Sequence, residues 1–520
     1  MSRLAPLATE TFDLAIVGGG IIGCGIARDA ALRGLKVALF ERSDFGSGTT
    51  AASTRIVHGG LRYLEMLDFR LVRMDLRERE TLLRIAPHLV RPLEFLIPFH
   101  AHGPVSPLKL RAGLALYDAL SFDKSLPSRR WLPPAEARAA DPALRGLDLR
   151  GAAAYYDARV DSPERLALEN VLDAAAHGAR ALNYCEVVHA DPPAGRLAVR
   201  DTLDGTEAQT AARVIVNATG AWFERTSAAL LQRSPRRIRT TKGIHIVVPP
   251  LTDRALVLYS RVDRRLLFAI PRGGLTWIGT TDTDYEGDPA NARATRADVE
   301  YLIESVADTF PRLTVDDVLY TTAGVRALVQ QEGTESSVSR MHKIVEGEPV
   351  APEGTISVLG GKITGYRSIA EDTVDAICRR LGCRSASTTA ERPLPGASRA
   401  NGTGAEGVLP HLYDLYGSRA PAVAGLATKD SALARPLAAA YPDIGAQVVF
   451  SARFEHSLRL SDFMRRRSLL GATADRGLQA VEAVAALMAT EHGWAASRTS
   501  EEADRYRREV AASRAFRDER

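Results

Sequence analysis

Cysteine is scarce in this chain: four in 520 residues, Cys24, Cys185, Cys378 and Cys383, in no metal-ligand spacing. That excludes a disulfide-stapled secreted scaffold and a cysteine-held metal cluster, and it predicts a reduced, cytoplasmic protein with no metal site. Long apolar runs are missing as well. None approaches the ~20 residues that span a bilayer, so contact with a membrane is expected to be peripheral. Residues 1–11 lack the basic start and apolar core of a signal peptide. Charge of one sign is also lacking, because 67 Lys and Arg against 63 Asp and Glu leave a formal net charge of +4. With acids and bases interspersed, no nucleic-acid footprint stands out. Lysine itself is rare, seven of the 67 basic residues, so a lone arginine is weak grounds for an anion site. What the chain has in plenty is length and aliphatic content, enough for two or three domains.

The strongest positive signal runs through residues 12–42, FDLAIVGGGIIGCGIARDAALRGLKVALFER. An apolar run at 14–17 suits a buried parallel strand, and Gly18 turns the chain without a Cβ clash. Gly20 lets the backbone approach a pyrophosphate, which then lies on the positive end of the helix beginning near Ile21. Gly23 and the small residues Gly25, Ala27, Ala30 and Ala31 let that helix lie close to the sheet. The second strand, 36–40, ends in Glu41, an acid placed to accept both hydroxyls of a ribose. The acid argues against a 2′-phosphate and leaves NAD or FAD.

Beyond it, a small-residue loop at 43–53 leads into apolar residues at helical spacing over 63–85, with Arg70, Arg73, Arg77 and Arg84 between them as a solvated face. Prolines 87 to 107 mark a loop region. A short amphipathic helix is predicted at 109–120, of a kind that lies against a core or in a membrane interface. Another is predicted at 161–178, with Ser162 as N-cap and Pro163 at its first position. A strand at 214–216 runs into Asn217-Ala218-Thr219-Gly220, a turn at the ligand-binding edge of a parallel sheet. Alternating strands over 243–279 predict a large antiparallel sheet. A strand at 355–359 ends in GGKITGYR before a helix at 368–380. Residues 388–406 read as a linker, and 407–520 as a helical cap with few convergent polar groups.

Five segments, VGGGIIGCGIARDAALRG, HGGLRYLE, TKGIHIVVP, IGTTDTDYEGDP and GGKITGYR, joined by GVRALV at 324–329, resemble the FAD-dependent, aerobic, quinone-linked glycerol-3-phosphate dehydrogenases, within the amino-acid-oxidase-like flavoproteins. The resemblance covers close to the whole chain in the family's order. It implies an α/β and α+β architecture: a Rossmann-like FAD-binding domain (12–90, 150–235 and 355–387) interleaved with an antiparallel-sheet substrate domain (91–149 and 236–354). A linker and a C-terminal all-helical domain follow. The implied reaction is oxidation of sn-glycerol 3-phosphate to dihydroxyacetone phosphate, with electrons passed to a membrane quinone at the inner face of the cell membrane. A homodimer is compatible with it.

The same resemblance assigns residues. Arg62, Tyr63, Arg326, Arg340 and Lys362 are expected around the substrate, with the guanidinium groups gripping phosphate oxygens in pairs and Lys362 acting as a point charge. His245 is the favoured base, with Lys362 and Arg326 beside it; an imidazole titrates in the useful range. Gly18, Gly19, Gly20, Ile22 and Gly23 form the pyrophosphate loop, Glu41 takes the ribose, and Thr49, Thr50, Ser53 and His58 lie near the isoalloxazine. Gly220 closes the adenine side, and Asp282, Gly361 and Thr364 belong to the rest of the flavin cradle. Three positions depart from the family's pattern: Arg55 where Lys is usual, Ala327 where proline is frequent, and Gly365 where a hydroxyl residue is common. The alternatives are an oxygen-reducing glycerol-3-phosphate oxidase, a flavoenzyme acting on an amino or hydroxy acid, and a tRNA-modifying flavoprotein. The absence of a large extra insertion favours quinone over oxygen, the cationic set favours a dianion over a carboxylate, and the near-neutral charge speaks against RNA.

Overall fold

The computed structural model describes residues 2–64, 66–100, 106–145, 147–231, 238–329, 342–347, 351, 353–397 and 409–519, the side chains of Arg62 and Leu231 aside. Two sheets organise the main body. The first has eight strands, and its parallel core runs Thr355–Leu359, Glu207–Asn217, Thr11–Val17, Val37–Phe40 and Arg180–Leu182. The strands Cys185–Asp191 and Arg196–Asp201 extend it as an antiparallel meander from Glu207–Asn217. The expected strand-turn-helix-strand unit is present, with its helix at Ile21–Leu32.

That helix packs beside Pro163–Ala176 and Tyr366–Leu381 over one sheet face, with Leu14, Ile16, Leu39, Val214 and Ile356 beneath. Close approach is possible because Gly25 lacks a side chain: a Cβ there would sit 2.9 Å from the Tyr366 ring. Ser162 caps its helix as expected, accepting from Arg165 N at 3.3 Å. Gly382 ends the third helix in the left-handed conformation that favours glycine.

The second sheet has ten strands. Its path runs Thr283–Asp284, Ile238–Val248, Leu275–Gly279, Leu266–Arg272, Ala255–Tyr259, Val90–Phe99, Gly151–Val160 and Ile56–Val57, with Tyr320–Val329 pairing Ile238–Val248 on its other side. The pairs are antiparallel except Ala255–Tyr259 with Val90–Phe99. Alternation at 243–279 captured four of these strands; Thr283–Asp284 follows directly, and the rest come from distant segments.

The periodic stretch at 63–85 is broken in the structure. Leu67 adopts φ +58° and Asp68 caps a fresh helix, Phe69–Ile85, by accepting from Leu71 N at 3.1 Å. Apolar spacing alone does not register a backbone reversal of this kind. Within the expected linker, residues 398–406 lie outside the described residues.

The C-terminal helices are clamped to the main body by buried ion pairs. Asp44, in the loop after Glu41, accepts from Arg466 at 2.5 Å and from Arg467 at 2.7 and 2.8 Å. These guanidiniums outweigh burial and hold its carboxyl well below the usual range. Glu455 receives Arg165 at 2.8 and 3.2 Å, with both side chains fully buried. The reading of this domain as poor in convergent polar groups does not survive: its adjacent Arg466 and Arg467 converge on Asp44 of the body.

Candidate functional site

A cavity of about 1250 Å³ opens at the carboxyl edge of the first sheet and runs to the face of the second. Gly18, Gly20, Ile22, Glu41, Thr49, Thr50, Ser53, His58, Gly220, Asp282, Gly361 and Thr364 line it, together with Tyr63, Arg326 and Lys362. Residues predicted from five separate segments thus meet in one chamber. It exceeds the usual range for small-ligand sites and suits an extended dinucleotide.

The glycines divide into two kinds. Gly23 and Gly19 do not line the cavity: a Cβ on Gly23 would sit 1.9 Å from Gly18 O, and one on Gly19 would sit 2.7 Å from both Glu41 Cβ and the Phe45 ring. They let the helix and the loop close on the turn. Gly20 is different, since its Cβ would meet only Thr50 Oγ1 at 3.7 Å. Nothing in the protein demands glycine there, and the space it frees belongs to the cavity. Gly20 stands at the N-cap; Thr50 Oγ1 takes the Ile21 amide, and the following amides of the first turn, at Ile22 and Gly23, are the ones an incoming anion could engage. These observations fit a dinucleotide's pyrophosphate.

Glu41 stands on the cavity wall beside this turn. Its Oε2 accepts from Gly19 N at 2.7 Å and its Oε1 from Ser43 N at 2.8 Å, which fixes the carboxylate at the cavity wall. Burial raises its pKa, and those two amides oppose the rise. The hydroxyls of the following loop hold the loop itself: Thr50 Oγ1 accepts from Ile21 N at 3.1 Å, Ser53 donates to Thr50 O at 3.0 Å, and Thr49 donates to Val325 O at 2.7 Å. Gly361, at φ +103°, is enforced by the Ile22 and Ile369 side chains, each 2.8 Å from where its Cβ would stand.

Two cations line the same chamber. Arg326 is held by Thr280 Oγ1 at 2.7 Å, Thr281 O at 3.1 Å and Asp282 Oδ1 at 3.2 Å. Its head fills the space left by Gly243, whose Cβ would fall 2.2 Å from Nη2. Lys362 reaches the same chamber, pairs with Asp75 Oδ2 and lies 4.4 Å over the Tyr63 ring. Asp75 is fully buried, and burial raises its carboxyl to about 6 against the opposing pull of Lys362. The side chain of Arg62 and all of Arg340 lie outside the described residues.

The two histidines are placed differently. His58 lines the cavity, and Gly60 N donates to its Nδ1 at 3.1 Å, so the neutral ring carries its proton on Nε2. His245 does not line it. Its ring is buried between Thr54, with Nε2 to Oγ1 at 3.1 Å, and Thr322, with Nδ1 to Oγ1 at 3.4 Å. Burial, then Arg326 and Arg55, bring its pKa down to about 3, so it is neutral across the working range. Thr54, which does line the cavity, stands between it and any ligand.

Sequence reasoning missed Asp75 and Arg265. A signal for Asp75 existed: Leu71, Asp75, Glu78 and Leu82 share one helical stripe and all are buried, which is unusual for two carboxylates. Arg265, which lines the chamber and donates to Asp282 at 3.0 Å, carries no such mark.

The FAD dependent oxidoreductase family profile matches residues 13–365, and the profile of the C-terminal domain of alpha-glycerophosphate oxidase matches 387–499. The chain is 37% identical to a glycerol-3-phosphate dehydrogenase of Synechocystis, covering 97% of each. It is also 37% identical to glycerol-3-phosphate dehydrogenase 2 of Mycobacterium tuberculosis, over 97% of this chain and 89% of that one. Its fold is similar to the crystal structure of the Bacillus halodurans glycerol-3-phosphate dehydrogenase complexed with FAD, at a TM-score of 0.79 and 29% identity, over 99% and 97% of the two chains.

Proposed function

The chain belongs to the FAD-dependent glycerol-3-phosphate dehydrogenase family, and from that premise we propose that it oxidises sn-glycerol 3-phosphate to dihydroxyacetone phosphate in the chamber described. FAD, the family's cofactor, supplies when bound a two-electron acceptor for the hydride leaving the carbinol carbon. The observation that carries the reading is the convergence of Arg326 and Lys362 on the cavity into which the dinucleotide turn opens. A phosphate dianion needs charge and paired donors. Arg326 offers a planar guanidinium and Lys362 a point charge, with Arg62 and Arg340 completing the proposed anchor.

Asp75 and the Tyr63 ring hold the Lys362 ammonium from two sides, which sets where the dianion rests. Removal of the hydroxyl proton is assigned to His245 acting through Thr54: the neutral ring takes a proton at Nε2 as the Thr54 hydroxyl takes one from the substrate, a step that a ring held near 3 makes only in concert with loss of the hydride and beside the substrate's dianion, whose charge favours the imidazolium. His58, with its proton on Nε2, acts as a donor beside the flavin position.

In the same reading the electrons leave to a membrane quinone, and the protein lies peripherally on the inner face of the cell membrane. Supporting this is an apolar surface, Met66, Leu67 and Phe69 with Leu108 and Phe122, that exposes Leu67 to 71%, Leu108 to 76% and Phe122 to 78%. Exposed Lys109 and Arg111 accompany it on the helix Pro107–Leu120, the pairing of apolar and basic groups that an anionic interface favours. Among the described residues no helix is long and apolar enough to cross a membrane.

The test is anaerobic mixing of the purified flavoprotein with sn-glycerol 3-phosphate. Bleaching of the oxidised flavin absorbance is expected, and a persisting oxidised spectrum would overturn the substrate. Adding a soluble quinone or oxygen to the bleached enzyme then identifies the acceptor by which one restores the colour.

A further inference from the structure

A second cavity, of about 410 Å³, adjoins the flavin chamber at the loop 47–55, shares Arg293, Arg465, Arg466, Arg505 and Glu509 with its lining, and is walled by the ten-stranded sheet and the C-terminal helices. Eight arginines line it against two glutamates. Both acids are already engaged: Glu164 by Arg55 at 2.6 and 2.9 Å, and Glu509 by Arg465 at 3.0 Å and Ser461 at 2.8 Å. Arg272, Arg476, Arg293 and Arg508 have no carboxylate within 4.0 Å among the described residues.

The inner two are the telling ones. Arg272 stacks on the Trp277 ring at 4.7 Å and spends one nitrogen on Asp161 O at 2.6 Å, while its buried Nη1 has no acceptor among the described residues. Arg476 is 6% exposed, stacks on Tyr320 at 4.4 Å, and its Nε has no acceptor. Burial and nearby Arg55 push Arg272 down to about 10. Guanidinium groups held out of water without counter-charge are destabilising unless something supplies that charge. Elsewhere in this interface the chain supplies it from its own acids, as Asp44 and Glu455 do.

We propose that this cavity is a binding site for a small phosphate-class polyanion, distinct from the substrate anchor, with Arg272 and Arg476 at its floor and the exposed Arg293 and Arg508 at its rim. The planar forks match paired phosphate oxygens, and the volume admits more than one phosphoryl group. The site adjoins the chemistry. Thr322 lines this cavity and meets His245 Nδ1, whose Nε2 meets Thr54 in the flavin chamber, so an anion here stands two hydrogen bonds from the reacting space.

The experiment is calorimetric titration of the full-length, flavin-loaded protein with inorganic pyrophosphate, without substrate. Saturable binding is expected, weakened about tenfold or more by Arg272→Gln and by Arg508→Ala, an exposed position where folding is not in question. Arg326→Ala, in the flavin chamber, removes any pyrophosphate bound at the substrate anchor and should leave the component that depends on Arg272 and Arg508 unchanged. Vesicles containing phosphatidic acid form a second arm. Binding to them with the same dependence on Arg272 and Arg508 would support the same anion chemistry with a lipid headgroup as its source. Absence of binding in both arms, or binding abolished by Arg326→Ala and indifferent to Arg272 and Arg508, would overturn the proposal. Neither arm requires the flavin to be reduced, so failure of the dehydrogenase reading leaves this result standing.

Discussion

Asp75→Asn isolates a cost built in beside Lys362. The carboxyl is fully buried, one oxygen pairs with Lys362, and the other has no hydrogen-bond partner. Burial raises it from 3.8 to about 6, despite Lys362. Because the folded-state value lies above the unfolded one, the stabilising contribution of the protonated acid is fully present below about pH 3.8 and is lost as pH rises through about 6. A shift of about two units, at about 1.36 kcal/mol each, makes that loss about 3 kcal/mol. Asparagine keeps the shape and an oxygen for Lys362 but has no charge to bury. The variant should therefore match wild type near pH 4 and gain over it by up to about 3 kcal/mol above pH 7. Thermal melts of both flavin-loaded proteins across that range read the difference. Gly365→Ser serves as a second probe, because its Cβ would stand 3.7 Å from the unpartnered Oδ1 and its hydroxyl would supply the missing donor. It should narrow the pH dependence from the wild-type side. Parallel melting curves for wild type and Asp75→Asn at every pH would refute the assignment of this titration to Asp75.

Other consequences are equally direct. Arg326→Ala should raise KM for sn-glycerol 3-phosphate roughly ten- to a hundredfold, the worth of a charged hydrogen bond, while flavin content holds; an unchanged KM would remove it from the anchor. Thr54→Val should lower kcat by about a hundredfold or more while Thr54→Ser keeps it, as measured by single-turnover flavin reduction, if the hydroxyl carries the proton to His245. Gly23→Ala places a Cβ 1.9 Å from Gly18 O and should yield protein depleted of FAD, read from the ratio of flavin to protein absorbance. Asp44→Ala removes the carboxylate facing Arg467 in the interior and leaves Arg466 to Asp462 alone, and it should destabilise by about 3–5 kcal/mol, seen as a lower Tm of the holoprotein.

Much of the site was legible from residues because its elements are local. The turn at 18–23, the acid at 41 and the strand carrying Asn217 each declare themselves within a few residues, since glycine placement and apolar spacing answer to backbone geometry. The antiparallel sheet was legible only in part. Alternation at 243–279 marks strands, but Val90–Phe99 and Gly151–Val160 join through pairings that no window contains. His245 shows the limit at the level of one side chain: the motif TKGIHIVV marks its importance, and only packing places Thr54 between the ring and the chamber.

The sequence by itself determined that a dinucleotide binds at the N-terminal unit, and its motifs identified FAD and a family. Those signals are short-range, because a turn that must lack a Cβ, or a strand that must be buried, constrains adjacent residues. The tertiary structure alone decided which charges face one another. Lys362 finds Asp75 from 287 residues away, and Arg466 and Arg467 reach Asp44 from more than 420. Electrostatic pairing depends on distance in space and on exclusion of water, neither of which leaves a periodic trace along the chain. For the same reason, arginines that read as compositional excess form, once folded, an arginine-lined second cavity.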